Sequence, residues 1–315
     1  MTLVTFGETM LRYAPPAGER FGTADAFSVH VGGAESNVAV AAARLGRDAV
    51  WLSKLPDSPL GDRVVRTLAG QGVTTDVVRS DEGRQGVYYV EFGGEPRGTD
   101  VHYDRADAAV TTATADELAT GRVETADCFY TSGITPALST TLSDTTRALL
   151  ETARAAGTTT VFDVNYRSKL WSPAAAAGAL GDLLGLVDVL FVAERDAGTL
   201  FDLSGDVEAV GRKFLERHGH EAVVVTRGER GAVAVTPDAV HEQSTFEADT
   251  CDPVGSGDAF VGGFLARWLD GGAVPAALEY GAATAAVKRT LDGDMALVSP
   301  AEIEAVLEGS EGISR

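Results

Sequence analysis

The stretch DPVGSGDAFVGGFLARW, residues 252–268, decides how the rest of the chain is interpreted. It contains a helix-breaking proline, the small residues Gly255, Ser256 and Gly257, an acid, Asp258, and then an amphipathic run. This order predicts a loop that turns into the N-terminus of a helix. The first N–H groups of a helix have no intrahelical partner and lie at the positive end of its dipole, so they form an anion site. Glycines allow those N–H groups to approach an anion closely.

Asp258 has two explanations at this position. It is either an N-cap, which needs only a side-chain acceptor, or a base that takes the proton of an attacking hydroxyl during phosphoryl transfer. The spacing alone does not separate these alternatives. DPVGSGDAF also resembles the C-terminal signature of the ribokinase-like (PfkB) sugar kinases. That resemblance implies that Gly255, Ser256 and Gly257 form an anion hole, and that Asp258 is the catalytic base in contact with the sugar.

The charge balance excludes one class of partner. The chain has 46 acidic against 26 basic residues and a net charge of −20. Nucleic acids require a basic face, so they are not expected as partners. Excess acid with few lysines is typical of proteins adapted to concentrated salt, although an acidic protein from a GC-rich genome has the same composition.

The hydropathy pattern indicates a protein without a membrane segment. No apolar run reaches the roughly 18 residues needed to span a bilayer, and the N-terminal MTLVTFGETM has no basic region typical of a signal peptide. We therefore expect a cytoplasmic protein.

The order of apolar and amphipathic segments predicts an α/β fold. From residue 110 onward, apolar strands alternate with helices, which indicates a doubly wound, mostly parallel sheet flanked by helices. Residues 11–31 instead read as strands with exposed faces, and residues 86–91 and 100–103 as a hairpin. The family resemblance implies a ribokinase-like core of residues 1–10, 32–85 and 110–315, with a small β lid of residues 11–31 and 86–109.

The small size of the predicted lid indicates that the protein forms an oligomer. A small sheet leaves one face and one edge unprotected, and packing lid against lid would cover both. We expect a homodimer or a multiple of dimers, with Phe21, Phe27 or Val101 in the contact.

VGGAESN, residues 31–37, resembles the N-terminal signature of the same family. The resemblance implies that Gly33 and Asn37 bind sugar hydroxyls. Without it, these residues would be a glycine turn and an asparagine in the first turn of a helix.

DVNYR, residues 163–167, and SGITPALS, residues 132–139, resemble the 2-keto-3-deoxygluconate kinase branch of the family. Ligands of open α/β sheets bind at the carboxyl ends of strands, where DVNYR begins. The resemblance implies that Arg167 and the lid residues Tyr88, Tyr103 and Arg105 bind an acid sugar. Two arginines without protein partners would then face each other across the cleft.

TRGERG, residues 226–231, resembles the nucleotide loop of the family, although a hairpin turn would have the same composition. The ATP-binding residues implied by the resemblance are Asn165, Arg167, Thr226, Gly228, Gly231, Gly255 and Gly257. The family's Asn-x-x-Glu near magnesium is replaced by Ala193-Glu194-Arg195-Asp196. Mg²⁺ is expected to bridge the phosphates largely through water, and its protein ligands stay unassigned.

These resemblances imply an ATP- and Mg²⁺-dependent kinase that converts 2-keto-3-deoxygluconate to its 6-phosphate. Asp258 would act as a base of ordinary pKa, near 4. A kinase for a neutral sugar such as fructose or ribose is the alternative, and a non-catalytic sugar or nucleotide sensor is a third hypothesis. The chain has no Walker motif, which argues against a P-loop enzyme.

Overall fold

The computed structural model of the chain describes residues 1–93 and 96–309. Residues 94–95 and 310–315, which fall within the predicted lid and core segments, lie outside the described part. The strands are β1 (Thr2–Phe6), β2 (Met10–Ala14), β3 (Ser28–Gly32), β4 (Asp48–Pro56), β5 (Thr74–Ser80), β6 (Val87–Phe92), β7 (Thr99–Asp104), β8 (Cys128–Ser132), β9 (Thr159–Asp163), β10 (Val189–Ala193), β11 (Ala222–Thr226), β12 (Ala232–Val235) and β13 (Val240–Gln243).

Helices connect and cover these strands. They are α1 (Ala34–Arg44), α2 (Pro59–Ala69), α3 (Thr120–Glu124), α4 (Ile134–Ala137), α5 (Thr140–Ala156), α6 (Pro173–Leu184), α7 (Glu194–Phe201), α8 (Val207–His218), α9 (Ser256–Leu269), α10 (Val274–Arg289) and α11 (Pro300–Leu307). Within the described ranges, no helix is long and apolar enough to cross a membrane.

The large sheet has the order β13-β12-β11-β10-β9-β8-β1-β4-β5. From β11 to β5 neighbouring strands are parallel, and β12 and β13 add antiparallel pairs at one edge. The order runs outward in both directions from β1, and ligands of open α/β sheets bind outside the carboxyl ends of the strands at such a switch point. The predicted doubly wound fold is therefore confirmed.

Alternate residues of the central strands build a core on each face of this sheet. In β1, Val4 and Phe6 pack in the core on the side of α5 and α6, whereas Leu3 packs with α9 and α10 on the other side. Helix α9 packs closely against α1 at Gly262. A Cβ atom at this position would overlap the Cβ atom of Ala41, so only glycine allows this approach. This packing fixes the N-terminus of α9 over the sheet.

The small sheet has the order β3-β2-β6-β7 and uses strands from both segments assigned to the lid. The predicted hairpin is confirmed as the antiparallel pair β6–β7. The expectation that residues 11–31 lie outside a core is wrong for Leu11 and Arg12, because both side chains are fully buried.

The two faces of the small sheet have different surroundings. On one face, Val101 packs with Tyr88, and Tyr88 stacks on Tyr103 with ring centroids 5.9 Å apart. On the other, Phe21 contacts the rings of Phe27, Tyr89 and His102. Val101 therefore lies on the opposite face from Phe21 and Phe27, because successive residues of β7 point to opposite faces, and the oligomer contact through any of the three stays a prediction.

Candidate active site

A cleft of about 850 Å³ lies where the carboxyl ends of the large sheet meet the small sheet. It collects nearly all the residues that the sequence motifs predicted: Gly33, Asn37, Tyr88, Tyr103, Arg105, Asn165, Arg167, Thr226, Gly228, Gly255, Ser256, Gly257 and Asp258. Gly231 instead lines a neighbouring cavity of about 420 Å³. The motifs, although dispersed along the chain, therefore meet in one place.

The turn before α9 has the geometry of an anion site. Gly255 has a φ of +81°, in the left-handed region that favours glycine. A Cβ at Gly255 would also overlap the carbonyl oxygen of Asp294, so the turn packs directly on that residue. The turn is held at its start by Asp252, whose carboxylate accepts from the N–H groups of Val254 at 2.9 Å and Gly293 at 3.0 Å.

Ser256 contributes less to this site than the sequence suggested. Its N–H and its Oγ both donate to the carbonyl of Pro253, at 3.3 and 2.8 Å. The N–H groups of Gly257 and Asp258 follow in the first turn of the helix, where no intrahelical acceptor exists. They are the donors best placed to bind an anion.

Asp258 is held by an amide from the other end of the chain. Nδ2 of Asn37, in the first turn of α1, donates to Oδ2 of Asp258 at 2.7 Å. Oδ1 of Asn37 accepts from the N–H of Gly33 at 3.4 Å. Both ends of the Asn37 amide thus have a protein partner, but Nδ2 carries a second N–H and Asn37 lines the cleft, so its contact with sugar hydroxyls stays a prediction.

Burial changes the acidity of the carboxyl groups in the cleft. It raises the pKa of Asp258 to about 6, although the Asn37 hydrogen bond and the Arg167 charge oppose the shift. The expectation of an ordinary pKa near 4 is therefore wrong. Burial, together with the charge of Asp258, raises the pKa of Asp163 to about 7. Both pKa values are closer to neutral pH than that of an ordinary aspartate, and a general base is most effective when its pKa is near the working pH.

Arg105 already has a protein partner. Its guanidinium forms an ion pair with Glu8, which follows β1 and is 4% exposed. Arg105 also stacks on the ring of Tyr103, 5.1 Å from its centroid. The expected pair of partnerless arginines is therefore wrong for Arg105. Arg167 is exposed in the cleft and forms no ion pair with any residue in the described ranges.

Sequence reasoning missed three polar residues that line the cleft, Glu8, Glu35 and Asp294, and Arg12, which is fully buried behind it. Tyr88 donates its hydroxyl to Asp294, which also pairs with Arg12 at 3.1 Å. Two of them lie next to a recognisable pattern, because Glu8 comes just after an apolar strand and Glu35 lies within VGGAESN. The roles of the others depend on contacts between distant segments.

The neighbouring cavity extends from the anion site along the TRGERG loop. It shares Asp163, Thr226, Gly228 and Gly257 with the main cleft. Its remaining lining combines apolar side chains such as Phe260 with polar ones such as Arg289. The loop joins β11 to β12 as an antiparallel hairpin, and its role in binding a nucleotide stays a prediction. A Cβ at Gly231 would overlap the carbonyl of Gln243, which explains that glycine structurally.

The two carboxylates in residues 193–196, which replace the family's Asn-x-x-Glu, are engaged with arginines. Asp196 pairs with Arg195 at 2.9 Å, and Glu194 pairs with Arg230. In the part of the chain that the structure describes, no group of three metal-ligating side chains occurs. Asp163, which lines the cleft, accepts one hydrogen bond within the described residues, from the N–H of Asn165 to Oδ1 at 3.1 Å. Its other carboxylate oxygen has no hydrogen-bond partner there.

A partly buried carboxylate beside a helix N-terminus, at the carboxyl ends of a doubly wound sheet, is the arrangement expected of a phosphotransferase that acts on a hydroxyl group. Residues 2–301 match the pfkB family of carbohydrate kinases, and the chain belongs to that family. The predicted family is confirmed, the chain is a sugar phosphotransferase, and the hypothesis of a non-catalytic sensor is set aside.

Individual relatives support the same class. The chain is 58% identical over 314 residues to a 2-dehydro-3-deoxygalactonokinase of Haloferax volcanii, covering 99% of both chains. It is 33% identical over 298 residues to a 2-dehydro-3-deoxygluconokinase of Bacillus subtilis, covering 93% of this chain and 90% of that one. The crystal structure of a 2-dehydro-3-deoxygluconokinase from Thermotoga maritima superposes with a TM-score of 0.93 at 33% identity, covering 98% of both chains.

Proposed function

We propose that the chain phosphorylates the 6-hydroxyl of 2-keto-3-deoxygluconate (2-dehydro-3-deoxygluconate) with ATP. The main observation in support of phosphoryl transfer is the hydrogen bond from Asn37 to Asp258 at the N-terminus of α9. It holds a carboxylate of raised pKa beside the free N–H groups of Gly257 and Asp258. Asp258 accepts the hydroxyl proton, and the N–H groups stabilise charge on the transferring phosphoryl group.

The two arginines have different roles in this proposal. Arg167 lowers the pKa of Asp258 by its charge, so it acts at the reacting end of the sugar. Arg105, held by Glu8 and stacked on Tyr103, lies on the small sheet and binds the substrate carboxylate. The small sheet acts as a lid that brings Tyr88, Tyr103 and Arg105 to the sugar.

The nucleotide fits the cavity that continues from the anion site. Its apolar side chains suit an adenine ring. The phosphates would lie beside Thr226, Gly228 and Gly257, which line both the cavity and the main cleft. Asp163 would hold Mg²⁺, since a magnesium ion carried by phosphates needs only one or two protein carboxylates. When bound, the ion neutralises phosphate charge. Asn165, whose φ is +38°, positions the loop that presents Arg167.

The acid-sugar assignment is supported by the names of the relatives in Bacillus subtilis and Thermotoga maritima. The 58% identical relative is named for the galactonate-derived substrate, so 2-keto-3-deoxygalactonate is a second candidate. ADP release should be measured with both acids, fructose and ribose side by side. We expect kcat/KM for at least one acid to exceed that for either neutral sugar. Equal or better kcat/KM on fructose would contradict the assignment.

A variant tests the carboxylate contact directly. Replacing Arg105 alone would leave Glu8 buried without its partner, which is costly in itself. Arg105→Gln should therefore be combined with Glu8→Gln. We expect kcat/KM for the acid sugar to fall by roughly 30-fold or more, with KM for ATP nearly unchanged. Arg122→Gln, in an exposed pair with Asp76, is the matched control.

A further inference from the structure

Four charged side chains form a buried cluster behind the anion site. Arg12 and Lys288 are fully buried, and Asp252 and Asp294 are 1% and 3% exposed. Arg12 pairs with Asp252 at 2.7 Å and with Asp294 at 3.1 Å. Lys288 donates from Nζ to the carbonyl of Asp252 at 2.8 Å. Two positive and two negative charges balance, so the cluster can exist away from water.

The cluster joins the small sheet to the turn before α9. Arg12 comes from β2, in the interior of the small sheet, and Tyr88 from the adjacent strand β6 donates to Asp294. On the other side, Asp252 begins the turn, and the carbonyl of Asp294 forms the surface on which Gly255 packs. One guanidinium therefore connects both residues that hold the turn.

We propose that Arg12 is a positioning residue for phosphoryl transfer, which clamps Asp252 and Asp294 and so fixes the anion-binding N–H groups of Gly257 and Asp258. The planar fork of arginine can serve two carboxylates at once, whereas a lysine ammonium offers a single point charge. This role rests on the proposed phosphoryl transfer at Asp258.

The contacts of Arg12 couple the sugar-binding side of the cleft to its phosphate-binding side. Tyr88 lines the cleft and bonds Asp294, so a change at the sugar-binding face of the small sheet is transmitted to the wall of the turn. Donors that stabilise a transition state must be fixed before the reaction, because reorienting them costs free energy. Loosening the clamp should therefore reduce kcat more than substrate binding.

The test is Arg12→Lys, which keeps the charge and loses the double bridge. Hydrogen exchange in the unliganded protein should accelerate about tenfold in a peptide covering residues 252–260, and kcat should fall about tenfold. KM for both substrates should stay within about threefold. Arg84→Met, in an exposed pair with Asp104 beside the small sheet, is the control and should change neither quantity.

Lys288→Gln provides a second variant if Arg12→Lys does not fold, and we expect the same local acceleration of exchange. Unchanged exchange at residues 252–260 in a folded variant, or an increase spread evenly over the protein, would overturn the proposal. Exchange needs no substrate, and kcat is measured on whichever sugar the parent phosphorylates best. A wrong sugar assignment is therefore distinguishable from a wrong role for Arg12.

Discussion

Asn37 and Asp258, which are 221 positions apart in the chain, are joined by a 2.7 Å hydrogen bond at the centre of the cleft. The first turns of α1 and α9 thus meet, and the amide of one fixes the carboxylate of the other. Because the donor is a neutral amide, it orients Asp258 without neutralising it. Two predictions follow from this geometry.

Asp258→Asn should abolish most of the activity while keeping the fold. Removing a general base typically costs about 10²–10⁴-fold in rate, whereas nucleotide binding depends on other residues. Turnover and ATP affinity should be measured in the same preparation. Asp62→Asn, in an exposed pair with Arg79, is the control. Turnover near the parent rate would mean that Asp258 is only a helix cap.

Asn37→Ala should shift the pH dependence of the reaction. Asp258 acts as its carboxylate, so kcat/KM should fall as the pH drops below its pKa of about 6. Asn37 stabilises the charged form, so its removal raises that pKa and moves the acidic limb to higher pH. A pH profile of both proteins measures this shift. An unchanged limb would show that another group controls it.

Glu35→Gln should flatten the dependence of stability on pH. Burial raises the pKa of Glu35 to about 7, although Ser132 and Thr135 donate to its carboxylate. A group with a raised folded-state pKa contributes stability that is present below its unfolded value and lost as pH rises through the folded value. The parent should therefore lose about 3 kcal/mol between pH 4.5 and 7 from this group.

Denaturant unfolding at several pH values would measure this loss. The difference between the parent and Glu35→Gln isolates the contribution of Glu35 from that of Asp163. Glu151→Gln, at an exposed position of α5, should leave the parent curve unchanged. Parallel curves for the parent and Glu35→Gln would contradict the prediction.

The small sheet should form a dimer contact through its Phe21–Phe27 face. Phe27 is 36% exposed and stacks on Phe21 with centroids 6.3 Å apart. We expect light scattering to show a dimer or a multiple of dimers, and Phe27→Asp to give monomers. Leu60→Asp, which changes a 44% exposed side chain on α2, should not. A monomeric parent at assay concentration and salt would count against this contact.

Potassium chloride should stabilise the fold. A net charge of −20 produces self-repulsion in the compact state, and salt shortens the Debye length to about 3 Å at 1 M. Melting temperature should therefore rise with KCl into the molar range. A flat or falling curve would favour base composition of the genome as the explanation for the acidic residues.

The parts of the fold that rest on local patterns could be predicted from the sequence. Alternation of apolar strands and helices gave the parallel sheet, because strands buried on both faces need continuous apolar runs. The proline and small residues at 253–257 indicated the turn into a helix N-terminus, and the motifs indicated which strand ends meet in the cleft.

The electrostatic arrangement of the site could not be predicted in the same way. Arg12 lies in a strand assigned to an exposed sheet, yet it is buried because Asp252 and Asp294 approach it from the far end of the chain. The ion pair of Arg105 with Glu8 spans 97 positions. The raised pKa of Asp258 depends on burial by several elements together. None of these contacts produces a periodic pattern in the sequence from which it could be predicted.

The pairing of Arg12 with Asp294 has a consequence for synthesis of the chain on a ribosome. Arg12 emerges early, whereas its two carboxylates are translated 240 and 282 residues later. Until then the guanidinium has no counter-charge and must stay hydrated, so the small sheet cannot adopt its final packing on a nascent core. The loops that carry Asp252 and Asp294, before α9 and after α10, therefore complete the packing of β2 as well as the active site, and we expect a chain truncated before Asp294 to be inactive.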